Sequence, residues 1–67
     1  MIRSHYNVSR LLNTQMKTQV KNALNEIDGV KMVNVDLARS SIEVGYDESI
    51  DESTIKQCIE NVGCKFE

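Results

Sequence analysis

Hydrophobic and polar residues alternate along three segments of the chain, and each alternating segment predicts a β-strand with one buried face. A fourth, very short strand is predicted after Cys64, where Phe66 would point inward. The residues of the three predicted buried faces are Ile2, Ser4, Tyr6 and Val8, then Val33, Val35 and Leu37, and finally Ile42, Val44 and Tyr46.

Two other segments repeat apolar residues at intervals of three and four, which predicts amphipathic helices. Asn13 is placed to cap the first helix, and Asp28-Gly29 is predicted to end it. Asp51 is the predicted cap of the second helix, which Gly63 ends. The predicted apolar faces are Met16, Val20, Ala23, Leu24 and Ile27 in the first helix, and Ile55, Cys58, Ile59 and Val62 in the second.

The order of these elements is strand, helix, strand, strand, helix, strand. It predicts an α+β fold, the ferredoxin-like βαββαβ sandwich, as a single domain over residues 1–67 with both helices on one face of a four-stranded antiparallel sheet. Right-handed crossovers place the first and third strands at the centre of that sheet. One end of the molecule would then gather the loop around Leu11–Met16, Cys64 and the hairpin tip near Arg39, so a functional site is expected there.

Composition narrows the class of protein. The longest uninterrupted apolar run is two residues, too short to span a membrane, and the first residues lack the apolar stretch of a signal peptide. We therefore expect a cytoplasmic protein. The two cysteines, Cys58 and Cys64, are expected to be reduced and mostly buried thiols rather than a disulfide.

The net charge of −2 conceals an uneven distribution. Residues 1–40 carry six Lys/Arg against three Asp/Glu, whereas residues 41–67 carry two against seven. The acidic balance argues against nucleic acid as a partner. The split favours docking of the basic region on an acidic protein surface, and it also permits self-association of the basic end with the acidic second helix.

Nearly the whole chain resembles the heavy-metal-associated domain, a family that includes copper chaperones and the N-terminal modules of copper-transporting ATPases. No single segment is diagnostic, but together they are fairly specific for the fold, which the resemblance implies to be the ferredoxin-like one. The resemblance rests on Tyr6–Val8, Val20–Leu24, Asp28–Val30, Val33–Leu37, Ile42–Val44 and Ile59–Gly63.

The family's metal-binding motif, Met-x-Cys-x-x-Cys, is missing from this sequence. Counting back from Val20, the two cysteine positions hold Asn13 and Met16, the methionine position holds Leu11, and the preceding glycine position holds Arg10. In the family, two thiolates near a helix N-terminus hold a soft ion such as Cu(I). The resemblance thus implies the fold and a docking surface, but not metal transfer through a cysteine pair.

Two groups of residues are candidates for a site at this end. Met16 and Cys64 could form a weak Cu(I) or Zn site, although both residue types commonly fill small cores. The second group is basic and could contact an acidic partner, although Asn13 also serves as a helix cap and the cations could simply be solvated. The candidate partner-binding residues are Arg10, Asn13, Lys17 and Lys21.

Catalysis and RNA binding are not supported by the sequence. No histidine stands beside a nucleophile in a known motif, and the lone His5 is predicted to be a solvated residue of the outer sheet face. An arginine-containing glycine loop like that of acylphosphatases, which share the fold, is also missing. RNA recognition needs aromatic residues on the open sheet face, but all three aromatic residues fall on buried faces.

The sequence therefore predicts a non-catalytic module with no cofactor that acts through protein contacts. Its partner would be an acidic protein surface or a related metal-transport protein, with neither nucleic acid nor membrane involved. Two alternatives remain: weak Cu(I) or Zn trafficking through Met16 and Cys64, and docking on a partner that supplies the thiols.

Overall fold

A computed structural model describes residues 1–9 and 13–66. Its six elements follow the order that the sequence predicts, and they form the ferredoxin-like sandwich. The elements are β1 (Ile2–Ser9), α1 (Thr14–Asn25), β2 (Val30–Asp36), β3 (Ser41–Tyr46), α2 (Glu52–Val62) and β4 (Lys65–Phe66).

The four strands form one antiparallel sheet in the order β2-β3-β1-β4, so β1 and β3 lie at its centre as predicted. The register puts Ile42 opposite Tyr6 on one side and opposite Val35 on the other. Because side chains alternate between the faces of a strand, this register brings the apolar rows of the three long strands together beneath the helices.

The core lies between the sheet and the two helices. Each helix contributes two fully buried residues, Val20 and Leu24 from α1 and Ile55 and Ile59 from α2. Burying one such side chain stabilises the fold by about 1.5–3 kcal/mol. The remaining buried apolar residues are Tyr6, Val8, Val35, Ile42, Val44, Tyr46 and Cys64.

The predicted helix starts are confirmed. The Asn13 side chain accepts a hydrogen bond from the Met16 backbone N–H at 2.9 Å, and the Asp51 side chain accepts one from Ser53 N–H at 3.3 Å. Each cap satisfies a backbone donor that has no partner within its helix. Gly63 ends α2 in the left-handed conformation, with φ of 119°, also as predicted.

The predicted end of α1 is wrong. The helix ends at Asn25 with Glu26 as its cap, so Ile27 lies beyond the helix, although it still packs against the core. Gly29, with φ of 102°, instead belongs to the turn into β2, where its C=O accepts a hydrogen bond from Asp47 N–H at 2.9 Å. A strand that already begins at Val30 requires this early end.

The link between β2 and β3 turns without a glycine. The Asp36 carboxylate accepts hydrogen bonds from the backbone N–H groups of Ala38 and Arg39, at 3.0 and 3.2 Å, and Ser40 takes the left-handed conformation with φ of 53°. Short polar side chains stabilise turns in this way. Leu37, predicted to lie in the strand, falls in this turn because β2 ends at Asp36.

Neither helix has the length and the apolar character that crossing a lipid bilayer requires.

Candidate functional site

Three segments meet at one end of the molecule, which we call the N-cap end: residues 13–17, Arg39–Ser40 and Gly63–Lys65. Val8 N–H donates to Ser40 C=O at 2.9 Å, and Ser9 pairs with Lys65 across the sheet. A methyl carbon built on Gly63 would lie 3.8 Å from Cε of Met16. The predicted convergence therefore holds for these segments, while Arg10, Leu11 and Leu12 lie outside the described residues.

Asn13 occupies the position of the family's first cysteine, and it caps the N-terminus of α1. Its Oδ1 accepts the hydrogen bond from Met16 N–H, and its C=O accepts one from Lys17 N–H at 3.1 Å. The backbone of residue 13 is extended, with φ of −159° and ψ of 176°. The side chain that stands in a ligand position thus has a structural task of its own.

Met16 lies near Gly63, the residue before Cys64, and Met16 and Cys64 differ in exposure. Met16 is half-buried and packs against the core, whereas Cys64 is 2% exposed. Burial raises the pKa of the Cys64 thiol, so that the protonated form is favoured at neutral pH. A thioether and a buried neutral thiol are weak ligands for a soft ion, because the thiolate is the form that binds metals. Residues 1–9 and 13–66 contain no group of three or more His, Cys, Asp or Glu side chains placed to hold a metal ion.

The cations of this end are available for contacts. Lys21 is exposed and Lys17 is half-buried one turn earlier on the same side of α1. Within the part of the chain that the structure describes, the one ion pair joins Arg39 to Asp36 across 3.9 Å. The first turn of α1 contains no acidic residue, whereas α2 begins with Glu52. One side of α1 therefore carries two lysines, and no acidic residue stands in its first turn.

His5 and Cys58 agree with their structural interpretations. His5 is exposed on the outer face of the sheet, opposite Glu43 of β3. Cys58 is half-buried and packs against the core, beside a groove between the helices, and burial is the main cause that raises the pKa of its thiol. Both cysteines are free, as expected from the sequence.

A side-chain network at the start of α2 is absent from the sequence prediction. Glu52 Oε2 accepts hydrogen bonds from Tyr6 O–H at 3.0 Å and from the Ser4 hydroxyl at 3.4 Å, and Ser4 Oγ also lies 2.9 Å from Tyr46 Oη. This network ties the first turn of α2 to β1 and β3. Its signal in the sequence is Ser4, a polar residue in an otherwise apolar row.

Alkaline solution is expected to weaken the fold through this network. Burial is the main cause that raises the pKa of Tyr6 from 10.0 to about 12, and Glu52 adds to it. The unfolded chain loses this proton near pH 10, so between the two values the folded protein binds more protons, and stability falls as pH rises. We expect a loss of about 2–3 kcal/mol that Tyr6→Phe does not share. Urea unfolding of both proteins across this pH range tests it, and equal losses would contradict it.

The sequence matches the heavy-metal-associated domain over residues 7–67, so the chain belongs to this family. No curated protein is similar enough in sequence to be matched.

Solved structures of the same family agree with the fold. A protein described as the CopZ metallochaperone is 33% identical, with a TM-score of 0.93, and the match covers 98% of this chain and 100% of that one. A copper-binding domain from HMA7, a P-type ATPase, is 26% identical with a TM-score of 0.92, covering 100% of this chain and 92% of that one. The yeast copper transporter domain Ccc2a, at 20% identity and a TM-score of 0.88 over 98% and 94% of the two chains, shares the fold.

Proposed function

We propose that this chain is a non-catalytic member of its family that docks on a partner protein through the N-cap end and does not carry a metal ion on a cysteine pair. The observation that carries the proposal is the hydrogen bond of 2.9 Å from Met16 N–H to Asn13 Oδ1. A residue that caps the helix stands where the family presents its first thiolate. We further propose a cytoplasmic location.

Charge supports the choice of partner. Lys17 and Lys21, the fourth and eighth of the twelve residues of α1, form a row on one side of the helix, and Arg10 precedes them in the chain. An acidic surface would attract these lysines, since opposite charge speeds encounter and selects partners.

Relatives described as a metallochaperone and as a copper-binding ATPase domain suggest the kind of partner. We propose that the partner is a metal-transport protein that presents an acidic surface and, where it binds metal, supplies the thiols. Basic residues rather than sulfur would then determine recognition on this chain.

Charge reversal of the lysine row tests the docking. With an excised cysteine-containing domain of a copper-transporting P-type ATPase as the probe, Lys17→Glu/Lys21→Glu is expected to weaken binding at least about tenfold, roughly 1.4 kcal/mol. Nuclear magnetic resonance titration of the labelled chain should show shifts at Asn13, Lys17 and Lys21 that weaken as salt is raised.

Lys31→Glu is the matched control, because Lys31 is exposed at the start of β2, the opposite end of the sheet. Equal weakening by this single change, or binding that is indifferent to salt, would argue against docking through the lysine row.

A second candidate function is weak binding of Cu(I) or Zn by Met16 and Cys64, favoured by the approach of the Met16 methyl to Gly63, which precedes Cys64. The candidate requires the Cys64 thiol to lose its proton on binding, which burial opposes. It predicts that Cys64→Ala lowers Cu(I) affinity. If that affinity is unchanged, the second candidate is wrong.

A further inference from the structure

His5 and Glu43 stand side by side on the outer face of the sheet, where they lie directly opposite each other on β1 and β3. Val8 N–H donates to Ser40 C=O, and hydrogen-bonded pairs alternate with non-hydrogen-bonded pairs along an antiparallel ladder. The pair of His5 with Glu43 is therefore of the non-hydrogen-bonded kind. In such a pair the Cα atoms are only about 4.5 Å apart and the side chains lie closest together.

Neither side chain is engaged elsewhere in the described part of the chain. The side-chain hydrogen bonds and the ion pair found there involve neither the imidazole of His5 nor the carboxylate of Glu43. His5 is exposed and Glu43 is half-buried, and both line a cleft of about 230 Å³ on the outer face. Two metal-ligating groups are thus adjacent and available.

The other residues of this cleft do not complete a metal site. Asp36 also lines it, but its carboxylate accepts the backbone hydrogen bonds of Ala38 and Arg39 and pairs with the Arg39 side chain. Among the residues that the structure describes, no group of three or more His, Cys, Asp or Glu side chains is placed to hold an ion. One chain therefore offers two ligands here, and a complete site needs two more.

The chemistry of the two ligands selects the ion. Imidazole nitrogen and carboxylate oxygen are ligands of Zn(II), which takes four of them in a tetrahedral site. Cu(I) prefers sulfur, which this pair does not contain. A second copy of the chain would bring the same two groups and raise the number of ligands from two to four.

We propose that His5 and Glu43 of two copies of this chain together bind one Zn(II) ion. The ion lies on a two-fold axis that runs parallel to the strands, midway between β1 and β3, and the outer faces of the two sheets meet there. This axis sets His5 of each copy over Glu43 of the other. Sheets stacked face to face lie about 10 Å apart, so the ion is about 5 Å from each sheet, a distance that both side chains span.

Charge favours a second copy as the source of the two missing ligands. The same axis sets Arg3 of each copy over Gly45 of the other, and Asn7 over Ser41, because these residues are also opposite each other in the ladder. No two like charges are set directly over one another in these rows. Two carboxylates and two neutral imidazoles balance the charge of Zn(II), so the ion leaves no net charge between the sheets.

Zinc is the probe for the unaltered chain. At protein concentrations up to about millimolar, sedimentation equilibrium with zinc chloride should show the mass rising from 7.6 kDa toward twice that value, and a chelator should reverse the rise. Isothermal titration calorimetry should give one Zn(II) for every two chains. A mass that stays at the monomer value in the presence of zinc, or one ion bound per chain, would overturn the proposal.

Two single substitutions test the ligands. His5→Ala and Glu43→Gln are each expected to weaken the zinc-dependent dimer at least about tenfold. Glu48→Gln is the matched control, because it changes an exposed carboxylate in the turn before α2 and should leave the dimer unchanged. Far-ultraviolet circular dichroism checks that the variants are folded. A zinc-dependent dimer of unchanged affinity in either folded ligand variant would contradict the site.

Cys64→Ala separates this site from the candidate site at Met16 and Cys64, and from the proposed docking through the N-cap end, on which the inference does not rest. The zinc-dependent dimer should persist in Cys64→Ala, because Cys64 is buried in the core. In nuclear magnetic resonance spectra, zinc should shift the signals of His5 and Glu43 and leave that of Lys17 unchanged. Loss of the dimer in Cys64→Ala, or shifts confined to the N-cap end, would assign the ion to the other site and overturn the proposal.

Discussion

The double substitution Asn13→Cys/Met16→Cys is expected to give this chain a tight one-to-one Cu(I) site. The two positions are the cap and the third residue of α1, where the helix N-terminus lowers the pKa of thiols. Thiolates are the soft ligands that select Cu(I). We expect the Cu(I) affinity to rise at least about 10³-fold, roughly 4 kcal/mol, measured by competition with a chelator under reducing conditions.

Asn13→Ser/Met16→Leu is the control, since it keeps a capping hydroxyl and an apolar side chain but adds no thiol. Without metal, the cysteine variant should be about 1 kcal/mol less stable, because the Asn13 cap is lost. A cysteine variant that binds Cu(I) no better than the control would mean that this loop cannot present two ligands. The claim that this chain keeps the family's fold and differs only in the residues at its metal-binding positions would then be wrong.

The second large effect concerns stability. Ile55→Ala is expected to reduce the free energy of unfolding by about 2–5 kcal/mol, because Ile55 is fully buried between α2 and the sheet and its truncation leaves a cavity. A chain of this size has in total only about 3–10 kcal/mol. We therefore expect a partly or largely unfolded protein at room temperature, measured by urea unfolding.

Ile2→Ala is the matched control, as it removes the same atoms from a residue that is 38% exposed. Ile2→Ala should lower the free energy of unfolding by less than about 1 kcal/mol. Similar losses in the two variants would contradict the assignment of Ile55 to the centre of the core.

Much of the fold could be predicted from the sequence because local signals agreed with each other. Asp51 and Gly63 delimit α2 through side-chain capping and left-handed geometry, both of which depend on residue type. The end of α1 could not be predicted from residue type alone. Gly29 resembles a helix terminator in sequence, but the strand that starts at Val30 ends the helix at Asn25.

Part of the candidate site could also be predicted from the sequence, and part of it could not. The exchange of ligands at positions 13 and 16 is visible in the sequence, because the motif has fixed spacing. The hydrogen bonds from Ser4 and Tyr6 to Glu52 could not be predicted, because they join residues more than 40 positions apart in the sequence. Periodicity indicates only the face on which such residues lie.

The measurement that tests the central claim most directly is a Cu(I) titration of the reduced, unaltered chain against a competing chelator, with Cys64→Ala beside it. We expect no one-to-one complex that withstands the chelator, and the same result for both proteins. A tight one-to-one complex in the unaltered chain would contradict the account, because it would show that the N-cap end holds metal without the cysteine pair.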